Sequence, residues 1–124
     1  MRLIEPIAAY VPYMTCPGNH ESFDNFTHYK YRFTMPDWEP HLQSSDLNMF
    51  YSFDLGPVHF ISLSTEYYYF LNYGANQILR QYNWLKKDLE SIDRQKTPWV
   101  VLYGHRPMYC SDDDHDDCTN HNSR

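Results

Sequence analysis

Between residues 49 and 103 the hydrophobic period changes twice, and this limits the fold more than any other feature of the chain. Residues 49–55 (Met-Phe-Tyr-Ser-Phe-Asp-Leu) and 58–64 (Val-His-Phe-Ile-Ser-Leu-Ser) read as two strands parted by a Gly56-Pro57 break. In the second, Val58, Phe60, Ile61 and Leu63 are nearly continuous in hydrophobicity, the pattern of a strand covered on both faces. From residue 76 to 94 the apolar side chains recur at spacings of three and four: Ile78, Tyr82, Leu85, Leu89 and Ile92. Arg80, Lys86, Lys87, Asp88, Glu90 and Arg94 fall mostly off that stripe, so an amphipathic helix with one buried face is expected. Thr97-Pro98 ends it, and Trp99-Val100-Val101-Leu102-Tyr103 reads as a buried strand stopping at Gly104. Upstream, residues 10–15 read as a short strand between Pro6 and the Pro17-Gly18 break. Residues 26–33 are aromatic and basic without a clean period and read as loop with at most a helical turn; Pro36, Pro40 and the polar stretch 43–46 make another loop. The order strand, hairpin, helix, strand implies an α/β (α+β mixed) domain, with helices packed on a mixed sheet.

A chain of 124 residues suits one domain rather than two. Aromatic content of 18%, with 12 Tyr, argues against disorder. The net charge is -6, much of it from Asp112, Asp113, Asp114, Asp116 and Asp117. No basic surface for nucleic acid or anionic lipid is expected, and the longest apolar run is far short of a membrane span. The first residues, 1–6, lack the apolar segment of a secretory signal, which by itself reads as cytosolic. Two features lean the other way: Asn25-Phe26-Thr27 is an N-glycosylation sequon, and Cys110 and Cys118 are spaced to close a short disulfide loop. Three cysteines leave one thiol, Cys16, without a partner in the chain. A chain that is part of something longer, with Met1 an internal methionine, resolves the conflict.

Two constellations each follow an expected strand: Gly18-Asn19-His20-Glu21 and Gly104-His105-Arg106-Pro107. Ligands of open α/β sheets gather at the carboxyl ends of strands, so these loops can share one site. A Gly before each His lets the backbone turn sharply beside a ligand. Asn offers a neutral oxygen, suited to a metal site already crowded with carboxylates, while His offers imidazole to zinc or iron or a charged donor to phosphate. The plainer reading makes Asn19 a helix cap, His20 and Glu21 surface residues and His105 a structural histidine. The four-residue motifs taken singly leave both readings open.

Together the motifs resemble those of the purple acid phosphatases, in the calcineurin-like metallophosphoesterase superfamily. The resemblance is carried by Met14-Thr15-Cys16-Pro17-Gly18-Asn19-His20-Glu21, by Ser62-Leu63-Ser64-Thr65-Glu66, by Gln81-Tyr82-Asn83-Trp84-Leu85 with Asp88-Leu89, and by residues 103–111 (Tyr-Gly-His-Arg-Pro-Met-Tyr-Cys-Ser). It covers essentially the whole chain in the right order. It implies a four-layer sandwich of two mixed sheets flanked by helices, and a binuclear metal centre of Fe(III) with Fe(II), Zn(II) or Mn(II). It implies further that Asn19 and His105 ligate the divalent ion, and that His20 contacts substrate phosphate and helps the leaving group. Glu21 completes the motif without a catalytic role. The implied reaction is hydrolysis of phosphate monoesters, the metal pair clamping the phosphate and holding a hydroxide in line; a trivalent ion makes hydroxide available in acid. A secreted or lysosomal location follows from the family.

The departures are equally informative. The family's two upstream aspartate motifs and its downstream Gly-His-x-His have no counterpart: the chain contains no Gly-Asp dipeptide and no His-x-His. Residues 1–124 therefore read as a partial metallophosphoesterase catalytic domain, in which two neutral ligands do not offset two multivalent cations. The metal pair is expected only in the complete domain, and missing strands should leave exposed sheet edges. The alternative is a non-catalytic truncated relative or interaction module; a small unrelated α/β binding domain would need every motif match to be accidental. In the tail, His115 among the aspartates, with His121 nearby, lacks regular ligand spacing and reads as a solvated loop rather than a zinc or calcium site. Tyr67-Tyr68-Tyr69-Phe70 reads as packing surface rather than as the rim of a cleft. Oligomeric state leaves no mark on the sequence.

Overall fold

The computed structural model describes residues 2–36 and 46–109. Its elements are α1 (Glu5–Ala8), a 3-10 turn (Asn19–Glu21), α2 (Phe23–Arg32), β1 (Tyr51–Leu55), β2 (Val58–Ser62), 3-10 turns at Thr65–Tyr68 and Leu71–Tyr73, α3 (Asn76–Ser91) and β3 (Trp99–Tyr103). β1 and β2 form the expected hairpin, antiparallel, with Tyr51 opposite Ser62 and Leu55 opposite Val58. Gly56, at φ 56, takes the left-handed turn position that a side chain would strain. The chain crosses through α3 and returns as β3, parallel to β2, with Val58 beside Trp99 and Ser62 beside Tyr103. The mixed α/β fold is the expected one, and β2 lies at the centre of the sheet order β1-β2-β3. The parallel register has a direct consequence for the site: the segments leaving β2 and β3 emerge side by side.

The pleat divides the sheet into unlike faces. Ser52, Asp54, His59 and Ile61 share the face that meets α3. There Ser52 donates to Asp88, while His59 Nε2 lies 2.9 Å from Asp88 and Nδ1 2.6 Å from Asp54. Burial works against a charged imidazole, but the hydrogen bonds to Asp88 and Asp54 outweigh it and raise the His59 pKa above its ordinary value. On the other face Phe53 stacks on Phe60, while Leu55, Trp99 and Val101 are exposed. The main core lies beyond the sheet, where Phe26, Tyr29, Met49, Phe50 and Tyr67 are buried with Phe70 and Trp84 against them. Buried Asp46 joins this core to α3, accepting from the Tyr67 hydroxyl at 2.8 Å and from the Arg80 guanidinium.

Four local expectations are corrected. Residues 10–15 form no strand: strand propensity is present, but the Thr15 carbonyl accepts from the Tyr29 and Tyr51 hydroxyls (2.9 and 2.7 Å) rather than from a neighbouring strand. Residues 26–33 are mostly helix, not loop, because Phe26 and Tyr29 bury one face of α2. The first turn of α2 is left-handed at Asp24, Asn25 and Phe26, where the Lys30 ammonium donates to the Asn25 carbonyl. The inward face of α3 is only in part the apolar stripe: Ile78, Leu85 and Ile92 are half-buried, but Tyr82 and Leu89 are 59% and 47% exposed, while Gln77 and Gln81 are buried. β3 is an exposed edge rather than a buried strand, with Trp99 68% exposed, because no described strand pairs on its far side. The exposed edge itself was expected.

Candidate functional site

The segment before the first motif is pinned by tyrosines. Tyr29 and Tyr51 both donate to the Thr15 carbonyl, and the Tyr51 and Tyr103 hydroxyls lie 2.8 Å apart. Burial raises the pKa of both Tyr29 and Tyr51 well above the ordinary phenol value, so these hydroxyls stay protonated donors. Residues 12–18, without regular secondary structure, thus end on the carboxyl end of the sheet.

There the Asn19–Glu21 turn begins. The Glu21 carboxylate accepts the Gly18 N–H at 2.9 Å, one half of a capping box, which gives Glu21 a local structural task. Asn19 does not cap its own turn. Its side chain reaches across 86 residues of sequence, and Oδ1 lies 3.0 Å from His105 Nε2. A carbonyl oxygen accepts, so in this arrangement Nε2 carries the hydrogen. Gly18 is needed for space: a Cβ there would lie 3.0 Å from both Cε1 and Nδ1 of His105. His20, next to Asn19, is exposed on the same turn.

His105 is placed from the other side by the turn that follows β2. The Leu63 N–H donates to the Tyr103 carbonyl, extending the parallel pairing beyond the strands. Thr65 Oγ1 accepts the Arg106 backbone N–H at 3.0 Å. Glu66, fully buried, accepts Arg106 Nε and Nη2 at 2.8 and 2.9 Å, and the guanidinium sits 3.9 Å above the Tyr69 ring. Gly104 runs flush against the same turn, where a Cβ would fall 2.8 Å from Thr65 Cγ2.

The structure therefore brings Asn19, His20 and His105 to one end of the sheet, as the two-loop argument expected. Asn25 is exposed on the left-handed turn of α2. Cys110, Cys118 and the acidic tail lie outside the described residues, and Cys16 is a free thiol whose pKa burial pushes up. The tyrosine run divides: Tyr67 and Phe70 pack in the core, whereas Tyr69 supports Arg106. Sequence reasoning gave no site role to Thr65 and Glu66, which stand in the run 62–66 that carries the family resemblance, and read Tyr69 as packing surface. The one available signal was their position just after β2, parallel to the strand before His105. As a metal centre the fit is partial. Asn19 Oδ1 and His105 Nε2 converge as two neutral donors for a divalent ion, but among the described residues no group of three or more His, Cys, Asp or Glu could hold one.

Residues 1–122 match the calcineurin-like phosphoesterase family, and the chain belongs to it. Within the family it is 52% identical over 126 residues to human "Acid phosphatase type 7" and 51% identical to the zebrafish (Danio rerio) protein of that name. It is 41% identical over 119 residues to "Purple acid phosphatase 23" of Arabidopsis thaliana, a match covering 92% of this chain and 24% of that relative. The human match covers all of this chain but 27% of the relative, so the chain spans about a quarter of the relative's length. Agreement at this level removes the reading of an unrelated domain with accidental motifs. Among the described residues no helix is long and apolar enough to cross a membrane.

Proposed function

We propose that this chain carries the divalent-ion and leaving-group side of an acid phosphatase site acting on phosphate monoesters, and that residues 1–124 are a partial catalytic domain. The observation that supports this reading best is the 3.0 Å meeting of Asn19 Oδ1 and His105 Nε2 beside exposed His20, at the carboxyl end of a mixed sheet. A metal pair, when bound, supplies Lewis-acid clamping of phosphate oxygens and a nucleophile in acid; iron with iron, zinc or manganese is the pair we infer. This chain's own residues do the rest. Asn19 and His105 offer one oxygen and one nitrogen to a single ion, which requires Nε2 of His105 to give up its hydrogen. His20 donates to a phosphate oxygen and delivers a proton to the departing alkoxide.

The lack of Gly-Asp and His-x-His motifs supports a second reading, a family member without turnover of its own. A chimera separates the two. This chain replaces the corresponding segment of human acid phosphatase type 7, and p-nitrophenyl phosphate hydrolysis is followed at acidic pH. Turnover that falls about 100-fold or more with His20→Ala supports the first reading, as does metal loss with His105→Ala. A folded chimera indifferent to both substitutions would rule it out. A secreted or lysosomal setting, with Asn25 glycosylated and Cys110 joined to Cys118, belongs to the same proposal; its supports are the sequon's exposure and the family.

A further inference from the structure

We propose that Glu66 is a positioning residue of this site: acting through Arg106, it holds the His105 imidazole against Asn19. The inference rests on the reading of Asn19 and His105 as a ligand pair. Its basis is geometric. Glu66 is fully buried, and its two oxygens each accept one N–H from Arg106, at 2.8 and 2.9 Å. Thr65, one residue earlier, accepts the Arg106 backbone N–H, and Tyr69, three residues later, lies under the guanidinium. One turn of chain thus grips Arg106 at its backbone, at its fork and on its face. Gly104, the other neighbour of His105, lies against Thr65 so closely that a Cβ would fall 2.8 Å from its methyl. Both flanks of His105 are fixed to the same turn, while the ring itself is exposed.

Stability alone accounts poorly for this arrangement. A buried carboxylate loses its hydration, and a well-packed apolar pair of similar size often stabilises as much or more. What the fork adds is orientation: two parallel N–H···O bonds fix a guanidinium plane in a way that apolar contact does not. That plane adjoins the one side chain in this loop that must point at Asn19. Glu66 lies 39 residues before His105 in sequence, and its carboxylate comes to the neighbouring Arg106 because β2 and β3 run parallel.

The test is nitrogen NMR of the histidine rings in the chain as it stands, without metal or substrate. His105 should appear as a single Nε2–H tautomer, because the Asn19 carbonyl oxygen demands a donor. In Glu66→Gln the fork loses its charge, and His105 should become a tautomer mixture with ring shifts moved toward those of free histidine. His28 and His59 should keep theirs and so report intact folding. Arg106→Lys, at the less buried end of the pair, should give the same change and serves if Glu66→Gln does not fold; the double variant should add nothing further. Unchanged His105 shifts in either folded single variant would overturn the proposal, as would additive changes in the double. The ligand reading fails separately, if the chimera keeps its turnover and metal after His105→Ala.

Discussion

The two ends of β3 are held in opposite ways. At the carboxyl end Tyr103 meets Tyr51, and Arg106, three residues on, is fixed by Thr65, Glu66 and Tyr69. Along its body Trp99, Val101 and Leu102 stand exposed on an edge with no described partner. Among the described residues, polar cross-links hold the exit of β3 while its edge pairs with no strand. Orientation of the site is therefore a local property of β2, β3 and their exit turns. The edge is a place where other polypeptide can pair.

The sharpest way to break this contrast is to remove Arg106. Arg106→Ala leaves the Glu66 carboxyl buried without its partner, and should cost about 3–5 kcal/mol in urea unfolding. A loss below about 1 kcal/mol would mean the turn does not depend on the pair. Gly104→Ala comes next, because its Cβ would lie 2.8 Å from Thr65 Cγ2 and 3.2 Å from the Leu63 carbonyl oxygen. Overpacking of this kind costs about 1–3 kcal/mol, and the His105 ring signals should move with it.

A smaller effect distinguishes the α3 face. The folded-state pKa of His59 is raised above 6.5 by Asp88 and Asp54 despite burial. Its contribution is therefore fully present below pH 6.5 and is lost as pH rises through the folded value. His59→Gln should flatten that part of the stability profile; an unchanged slope would show that the two aspartates do not hold the imidazolium. The smallest effect is expected at the edge. Trp99→Ser should shift stability by no more than about 0.5 kcal/mol, while self-association measured by sedimentation falls. A large loss of stability there would show that the edge is covered.

How much of this was legible in the sequence depends on how local each cause is. The hairpin and α3 were, because a Gly-Pro break and a change of period are written in consecutive residues. The inward face of α3 was so only in part: Gln81 is buried because its carboxamide bonds the Ser64 N–H and carbonyl, 17 residues away. Residues 10–15 carry strand composition, yet pairing decides a strand, and the Thr15 carbonyl is taken by tyrosines. The apolar run 99–103 reads alike for a central or an edge strand. In the site, Asn19, His20 and His105 stood out through motif chemistry, and their meeting followed from strand order. Glu66 stands in the run 62–66 that carries the family resemblance, but nothing in its neighbours announces a partner 40 residues later.

We propose that Asn19, His20 and His105 form part of a phosphatase site that the described residues leave incomplete. The most direct measurement is p-nitrophenyl phosphate hydrolysis at acidic pH by the purified chain, with iron and zinc supplied and His20→Ala beside it. We expect folded protein with no turnover above the metal-only blank. Metal-dependent turnover that disappears in His20→Ala would contradict it, and would mean that this chain supplies the remaining ligands itself.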